Sequence, residues 1–476
     1  MQKVVVFGVG QYYKKHINEL RFAFSQDELV AFLDNRASED GYFEGKRVYS
    51  PEAIHSLVYD KILLMSNLYS WEMKNQLLAL GVPEENIEFG WQYICEKFHG
   101  VIQLHVANLL PMKKKRILII SYDLNYGGGT LAAVYAASSL RSLGYDVCIA
   151  TRTADLRLVE DIISNGVHVI TCPAIPCLGK EELYWILQFD MVIVNVFQMI
   201  RVASEVSKYK PVLWWLHESS NKHSDIYDRY RHWFPEYDNT QWMSRLRIYA
   251  VSEIAKKNFE EYYPNMVNGI LPYGIPDENE LLYQQTGKTL RKKIIFAIIG
   301  SISKLKAQDV FLKAARNLME EYEDQTEFWL IGRVGQNAYV NEVRNLAEEV
   351  PGVKMLGEMT HPELNDAFKL IDVVVCASLE ETMSMAITEG MMHGKVCITT
   401  DATGMAKYIK NRENGLICKA GSADSLHEVM LWALEHKAEL PSIREKARET
   451  YEKEFSMRQF ASRLSEVIKK TLQDAR

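Results

Sequence analysis

Residues 371–394 read IDVVVCASLEETMSMAITEGMMHG. An apolar run, Ile371 to Ala377, gives way to a short polar stretch and then to a methionine-rich segment. Glu381 and Glu389 stand eight positions apart. On one continuous helix, eight steps of about 100° would leave them about 80° apart, on different faces. The interval makes sense if a strand ends near Ala377, Glu381 lies in the loop, and Glu389 lies on the helix that follows. Strand, loop and helix in that order form the unit of a parallel sheet covered by helices, where ligands sit at the carboxyl ends of the strands. The helix start offers unpaired N–H groups and a partial positive charge, which suits a phosphate. The expected donors are the amides of Met383, Ser384 and Met385. Glu381 would then face a sugar, and Glu389 would accept from ribose hydroxyls.

The same strand-then-helix alternation restarts three times, at KVVVFGVG (3–10), KRILIISYD (115–123) and KKIIFAIIG (292–300). Continuous apolar strands between helices imply parallel sheets covered on both faces. The chain of 476 residues is therefore read as three doubly wound α/β domains. They span 1–100, 115–287 and 288–455, with a linker at 101–114. The polar stretch QQTGKTL (284–290) marks the second boundary. Strands are expected in the middle domain at 116–121, 145–150, 167–171, 190–196, 211–216 and 247–251. In the third they are expected at 292–299, 326–331, 353–356, 371–376 and 396–400. The last segment, 456–476, has apolar residues at helical spacing and is expected to pack back across the domains.

Composition narrows the function classes. Hydrophobic residues make up 47% and charged residues 25%, with a net charge of −7, which argues against a general nucleic-acid binder. No apolar run approaches the roughly 20 residues that span a bilayer. Seven dispersed cysteines fit reduced thiols in a cytoplasm. Cys172 and Cys177 lie close together, but no partner pair completes a zinc site, and no metal is expected.

The pattern S-x-x-E-x7-E-x-x-x-x-G-x-V over 378–396 resembles the signature of retaining glycosyltransferases of the GT-B fold, family 4 in particular. The resemblance runs over about 115–475 and includes ENGLIC at 413–418. It implies two Rossmann-like domains facing a cleft. It also implies that Glu381 contacts the donor sugar near the reacting carbon and that Glu389 binds the nucleotide ribose. In IIGSISKLKAQDVFLKAA (298–315), Lys306 stands where the family's diphosphate-binding lysine stands. Ala307 replaces the usual glycine and Ser301 the usual arginine. Lys304 is a candidate to compensate for the lost charge, since an ammonium acts on phosphate as a point charge. In SYDLNYGGGTLAAVYAA (121–137), Gly127, Gly128 and Gly129 resemble the acceptor-side glycine loop. Glycines there let backbone and ligand approach closely. His217, at the end of VLWWLHESS (212–220), matches a histidine near the donor sugar. Ser252 and the run Tyr273 to Pro276 fit the family's path toward the hinge. No D-x-D occurs, so no metal-bridged diphosphate is expected.

In the first domain, Gly8 and Gly10 begin a dinucleotide-like fingerprint and Asp34 ends the second strand. Tyr13 stands where a third glycine would sit, which argues against NAD and for a scaffold, partner-docking or self-association role. The linker VIQLHVANLLPMKKKR (101–116) sets exposed or buried apolar residues before four consecutive cations, Lys113 to Arg116. It is read either as a covered linker helix or as a peripheral contact with an anionic membrane.

These readings converge on a cytoplasmic, metal-independent retaining glycosyltransferase, with the linker as its expected route to the inner face of the membrane under the second reading of 101–116. Its donor would be a UDP-hexose or UDP-N-acetylhexosamine, and no cofactor is needed. Its acceptor would be a surface glycan, a lipid-linked precursor or a protein. The rival readings are a non-catalytic GT-B subunit that supports a partner enzyme, and a GT-B sugar epimerase.

Overall fold

The computed structural model describes residues 1–38, 41–66, 69–107, 115–237, 245–278 and 293–474. The expected second boundary and the lysines at 113 and 114 lie outside the described residues. Two compact units are formed. The first comprises Met1–Leu104 with Thr151–Thr153 and Ile170–Leu183, and the second holds the rest.

The first unit is built on a six-stranded sheet. Its order is Tyr42–Phe43, Lys46–Tyr49, Glu28–Leu33, Lys3–Phe7, Lys61–Leu64, Ile87–Phe89. All neighbours are parallel except the first pair. Val4, Val5 and Val6 are fully buried, as expected of a strand covered on both faces.

Two further sheets lie mostly in the second unit. The larger runs Gly269–Ile270, Leu246–Ala250, Val212–Leu216, Met191–Asn195, Arg116–Ser121, Asp146–Thr151, His168–Thr171 and Gln103–His105. The smaller runs Val353–Gly357, Thr326–Ile331, Ile294–Ile299, Val373–Cys376, Val396–Thr400 and Leu416–Cys418. Parallel registers such as Phe296 opposite Phe328 and Val373 opposite Val396 hold the second sheet. Its core is a continuous cluster that includes Phe296, Phe311, Phe328 and Leu330. The continuous apolar runs became central strands at the expected places. In these two sheets the strands that sequence reading did not anticipate are short edge pieces, Gln103–His105, Gly269–Ile270 and Leu416–Cys418, whereas in the first unit it also missed Tyr42–Phe43, Lys46–Tyr49, Lys61–Leu64 and Ile87–Phe89.

The segment read as a linker helix or membrane contact is thus extended over Gln103–His105. Val101, Ile102, Leu104 and Val106 are exposed. At the far end of the chain, helix Met457–Asp474 packs on helix Gly128–Ser142 and strand Val212–Leu216. Phe460 stacks on Trp215 with ring centres 5.7 Å apart. A Cβ on Gly274 would stand 2.6 Å from Phe460 Cβ and 3.0 Å from the Phe455 carbonyl. The segment at Gly274 and the start of the C-terminal helix are therefore in backbone-level contact, which only glycine permits there.

Candidate active site

The strand–loop–helix reading of 371–394 is realised as strand Val373–Cys376, a loop, and helix Met385–Met392. Glu381 lies in the loop and Glu389 on the helix. The loop is held by its backbone. The Glu381 amide donates to the Ala402 carbonyl at 3.3 Å, and the Gly404 amide donates to the Glu381 carbonyl at 2.8 Å. The Ser384 hydroxyl caps the helix by accepting from the Ile387 amide at 3.4 Å. The amides of Met383, Ser384 and Met385 precede or open the first turn, where no carbonyl of the helix can reach them.

Lys306 arrives from the neighbouring strand end, between strand Ile294–Ile299 and helix Gln308–Tyr322. Its ammonium donates to Glu381 Oε2. Burial alone would lower the Lys306 pKa, but the adjacent Glu381 carboxylate raises it above the ordinary lysine value. The ammonium therefore stays charged. Leu379 N donates to the Leu305 carbonyl at 2.9 Å, so the two loops are stitched together beside that pair. Ala307, where a glycine was expected, holds the glycine conformation, with φ +52° and ψ +47°. Ser301 and Lys304 are both exposed. The Ser301 carbonyl accepts from Gln308 Nε2 at 3.1 Å. Ser301 thus supplies no cation at the position where the resemblance expects one.

Glu389 is half-buried, and burial pushes its pKa up to about 7, with Glu278 raising it and His361 lowering it. Glu278 in turn meets His361 Nδ1 at 3.2 Å and accepts from Asn365 Nδ2. Tyr135, on helix Gly128–Ser142 of the other lobe, has its pKa raised by burial and then by the Glu389 and Glu278 carboxylates. The buried Tyr273 is raised by burial and then by Glu381 and Glu389, and its hydroxyl donates to the Met383 carbonyl at 3.1 Å. Tyr135, Glu278 and His361 were not singled out from sequence, and Tyr273 was named only as the start of the run toward the hinge. Tyrosine and histidine carry no motif of their own here, and only the fold brings them to the glutamates.

Across the cleft, Gly127 is extended at φ −175° and precedes helix Gly128–Ser142. A Cβ on Gly128 would meet nothing within 4 Å, and one on Gly129 would meet only Val196 Cγ1 at 3.9 Å. Neither packing nor backbone conformation demands glycine in this loop. What glycine provides is open space beside the backbone. His217 ends strand Val212–Leu216. Its amide donates to Glu218 Oε2 at 2.9 Å, and its carbonyl accepts from Thr382 Oγ1 at 2.8 Å. Burial pushes the His217 pKa down to about 3, so the ring is neutral. Its Nε2 is buried with no hydrogen-bond partner. Burial pushes the Glu218 pKa up to about 7, against the amides of Phe197 and His217.

The residue beside Glu381 ties the lobes together. The Glu380 carboxylate accepts from the Ser220 amide and the Ser220 hydroxyl, each at 2.7 Å, and from Asn258 Nδ2 at 3.1 Å. Gly404 fills the same seam, where a Cβ would stand 2.0 Å from the Thr382 carbonyl and 2.8 Å from Ser252 Cβ. The structure thus brings Glu381 and Lys306 into direct contact and joins the His217 strand end to the Glu381 loop. Ser301 and Lys304 remain at the exposed edge. Among the described residues no group of three or more His, Cys, Asp or Glu side chains could hold a metal ion.

Two lobes of parallel sheet, with charged and polar groups converging at the strand ends between them, define the GT-B fold. Residues 113–256 match the family model of glycosyl-transferase family 4, and residues 282–450 match that of glycosyl transferases group 1. Two successive segments of the chain thus match glycosyltransferase domain families, and an added domain precedes them. Residues 1–88 of that domain match the C2185-like N-terminal family. HepE from Anabaena, crystallised with UDP and glucose, superposes with a TM-score of 0.62 at 17% identity, over 75% of this chain and 100% of that one. A glycosyltransferase from Rickettsia africae gives 0.61 at 17% identity, over 76% and 99%. The D-inositol 3-phosphate glycosyltransferase of Corynebacterium aurimucosum is 26% identical over 157 residues, 31% of this chain and 37% of that relative. The chain spans 28–42% of the length of five curated relatives it matches. Among the described residues no helix is long and apolar enough to cross a membrane.

Proposed function

We propose that the second unit transfers a hexose or N-acetylhexosamine from a UDP-sugar, with retention of configuration and without a metal, to a glycan, lipid-linked or protein acceptor. The observation that carries this reading is the Glu381–Lys306 pair at adjoining strand ends, with the first-turn amides of helix Met385–Met392 beside it. HepE of similar fold was crystallised with UDP-glucose, which supports a uridine nucleotide donor.

In this reading the diphosphate lies against the first-turn amides and Lys306, which stabilise its charge as the sugar leaves. Glu381 faces the sugar as positive charge develops on the ring. Glu389 accepts from the ribose hydroxyls. The neutral His217 offers its unpaired Nε2 to a sugar hydroxyl. The acceptor attacks on the face the diphosphate leaves.

A panel of nucleotide sugars in a thermal shift assay tests the donor. A ligand at 100 times its Kd adds about 2.7 kcal/mol of stability. NMR of the product anomer tests retention, and an undiminished rate in EDTA tests metal independence. A second reading, a non-catalytic subunit, draws on the exposed Ser301, which puts no cation at the diphosphate. Release of UDP by the purified chain alone decides for the enzyme. Donor binding without release decides for the subunit.

A further inference from the structure

The first unit has a cavity of its own, about 790 Å³ in volume. Strand Lys3–Phe7 pairs with Glu28–Leu33 on one side and with Lys61–Leu64 on the other. The strand order reverses at that point, and the carboxyl ends of a doubly wound sheet leave a crevice there. The volume falls within the few hundred to about 1,000 Å³ usual for small-molecule sites.

Two glycines of the lining behave differently. Gly8 has φ +103°, and a Cβ there would stand 3.0 Å from the Met65 carbonyl and 3.2 Å from Met73 Cε. Its lack of a side chain is a requirement of the fold. Gly10 has φ −78°, which any residue adopts, and a Cβ there would meet nothing within 4 Å. Gly10 keeps the mouth of the cavity open.

The rest of the lining divides by chemistry. Met65 and Met73 make a polarizable apolar wall, suited to the face of a heterocycle. Lys15 and Arg36 add two positive charges, suited to phosphate. Asp34 ends strand Glu28–Leu33. Its Oδ2 accepts from the Val9 amide at 3.4 Å and its Oδ1 from the Arg36 amide at 2.9 Å. Oδ1 also faces Arg36 Nε at 3.6 Å, and Oδ2 keeps a second lone pair for a ligand hydroxyl.

A dinucleotide fits this site poorly. Tyr13, at the third-glycine position, is fully buried, edge-on to Phe32 and to Phe43 with ring centres 5.4 Å apart in each pair. Its hydroxyl donates to Glu44 at 2.8 Å. The ring occupies the space that a small residue would leave for close helix–strand packing. The helix after the glycines, Gln11–Lys15, is only five residues long. It cannot offer the pyrophosphate the long helix start that a dinucleotide fold uses.

We infer that the cavity of the first unit binds a nucleoside mono- or diphosphate, with Met65 and Met73 toward the base, Asp34 toward the ribose, and Lys15 and Arg36 toward phosphate. This site is additional to the donor site proposed above and does not depend on it.

Equilibrium dialysis of the full chain against UDP, CDP, GDP, ADP and NAD tests the inference. At least one of the four diphosphates is expected to keep a binding site in Glu389→Ala that Gly10→Trp removes. Lys15→Glu combined with Arg36→Glu changes only exposed side chains, and should weaken that site about tenfold to a hundredfold. This double variant carries the test if Gly10→Trp does not fold. Nucleotide uptake that neither set of changes alters overturns the inference, as does NAD binding more tightly than all four diphosphates. Uptake that survives Glu389→Ala in full, at a single site lost with Gly10→Trp, supports the inference and removes the donor-site reading instead.

Discussion

Glu381 and Glu389 carry different physical burdens. Glu381 is paired with Lys306. Glu381→Gln should therefore lower kcat sharply while leaving UDP affinity unchanged or tighter, because the freed ammonium meets the diphosphate. Steady-state kinetics with a UDP titration read both, and equal loss of kcat and affinity would assign Glu381 to ground-state binding. In the proposed reading Glu389 accepts from the ribose, so Glu389→Ala should weaken UDP binding by about 1.5–3 kcal/mol, the worth of a hydrogen bond to a charged group. Calorimetric titration that finds no change removes Glu389 from the site. Its carboxyl also links stability to pH. Unfolded it ionises near 4.5, and folded near 7. Between those values the folded chain holds the extra proton, so stability falls as pH rises through the window and stays lower above it. Glu218 titrates in the same window. Glu389→Gln should flatten the decline without abolishing it, as urea midpoints measured across the window will show. An unchanged slope would mean that Glu389 is ionised throughout.

At the scale of elements, the loop–helix unit keeps its shape through contacts that leave no room. The Gly404 amide holds the Glu381 carbonyl, and its missing side chain lets the Thr382 carbonyl and Ser252 close in. Gly404→Ala should cost about 1–3 kcal/mol by overpacking and lower kcat, although it changes no charge. Full activity at wild-type melting temperature would show that the loop yields. Ala307 is the opposite case. It accepts the left-handed conformation that glycine adopts more readily, and its methyl is buried. The strain costs about 1–2 kcal/mol, and burial of the methyl returns about 0.8 kcal/mol. That near balance explains why the loop can keep its course after the glycine is replaced.

For the whole molecule, the decisive residue is Glu380. Its carboxylate gathers two donors of Ser220 and one of Asn258 from the opposite lobe. Glu380→Ala would remove the hydrogen bonds from the Ser220 amide, the Ser220 hydroxyl and Asn258, at a cost of about 1–3 kcal/mol. The expected result is a larger radius of gyration by X-ray scattering in the variant and a smaller change on adding UDP to the wild type. Identical scattering curves for the two proteins would show that other contacts in the seam suffice. Glu380→Gln keeps one carbonyl for the amide and should fall between them.

How much was legible follows from what each feature depends on. Apolar runs such as IIFAII and VVVC read as central strands, because covering both faces leaves no polar side to blur the pattern. The edge strands Gly269–Ile270 and Leu416–Cys418 were not legible, because a short strand carries too few residues to show a period. The placing of Glu381 in a loop and Glu389 on a helix followed from their interval alone, since eight helical steps cannot put them on one face. The pairing of Glu381 with Lys306, 75 positions away, depended on two strands lying side by side in the sheet. Glu380 looked in sequence like one more solvated acid. Its three donors come from residues 122 to 160 positions away, and no local pattern encodes an encounter of that range. Sequence by itself determined the elements, the order of the sheets' central strands in the chain and the glutamate motif, because these rest on local chemistry. Tertiary structure alone decided which charges meet, which carboxyls titrate near neutrality and what joins the two lobes, because burial and electrostatic partnership exist only once distant segments are packed together.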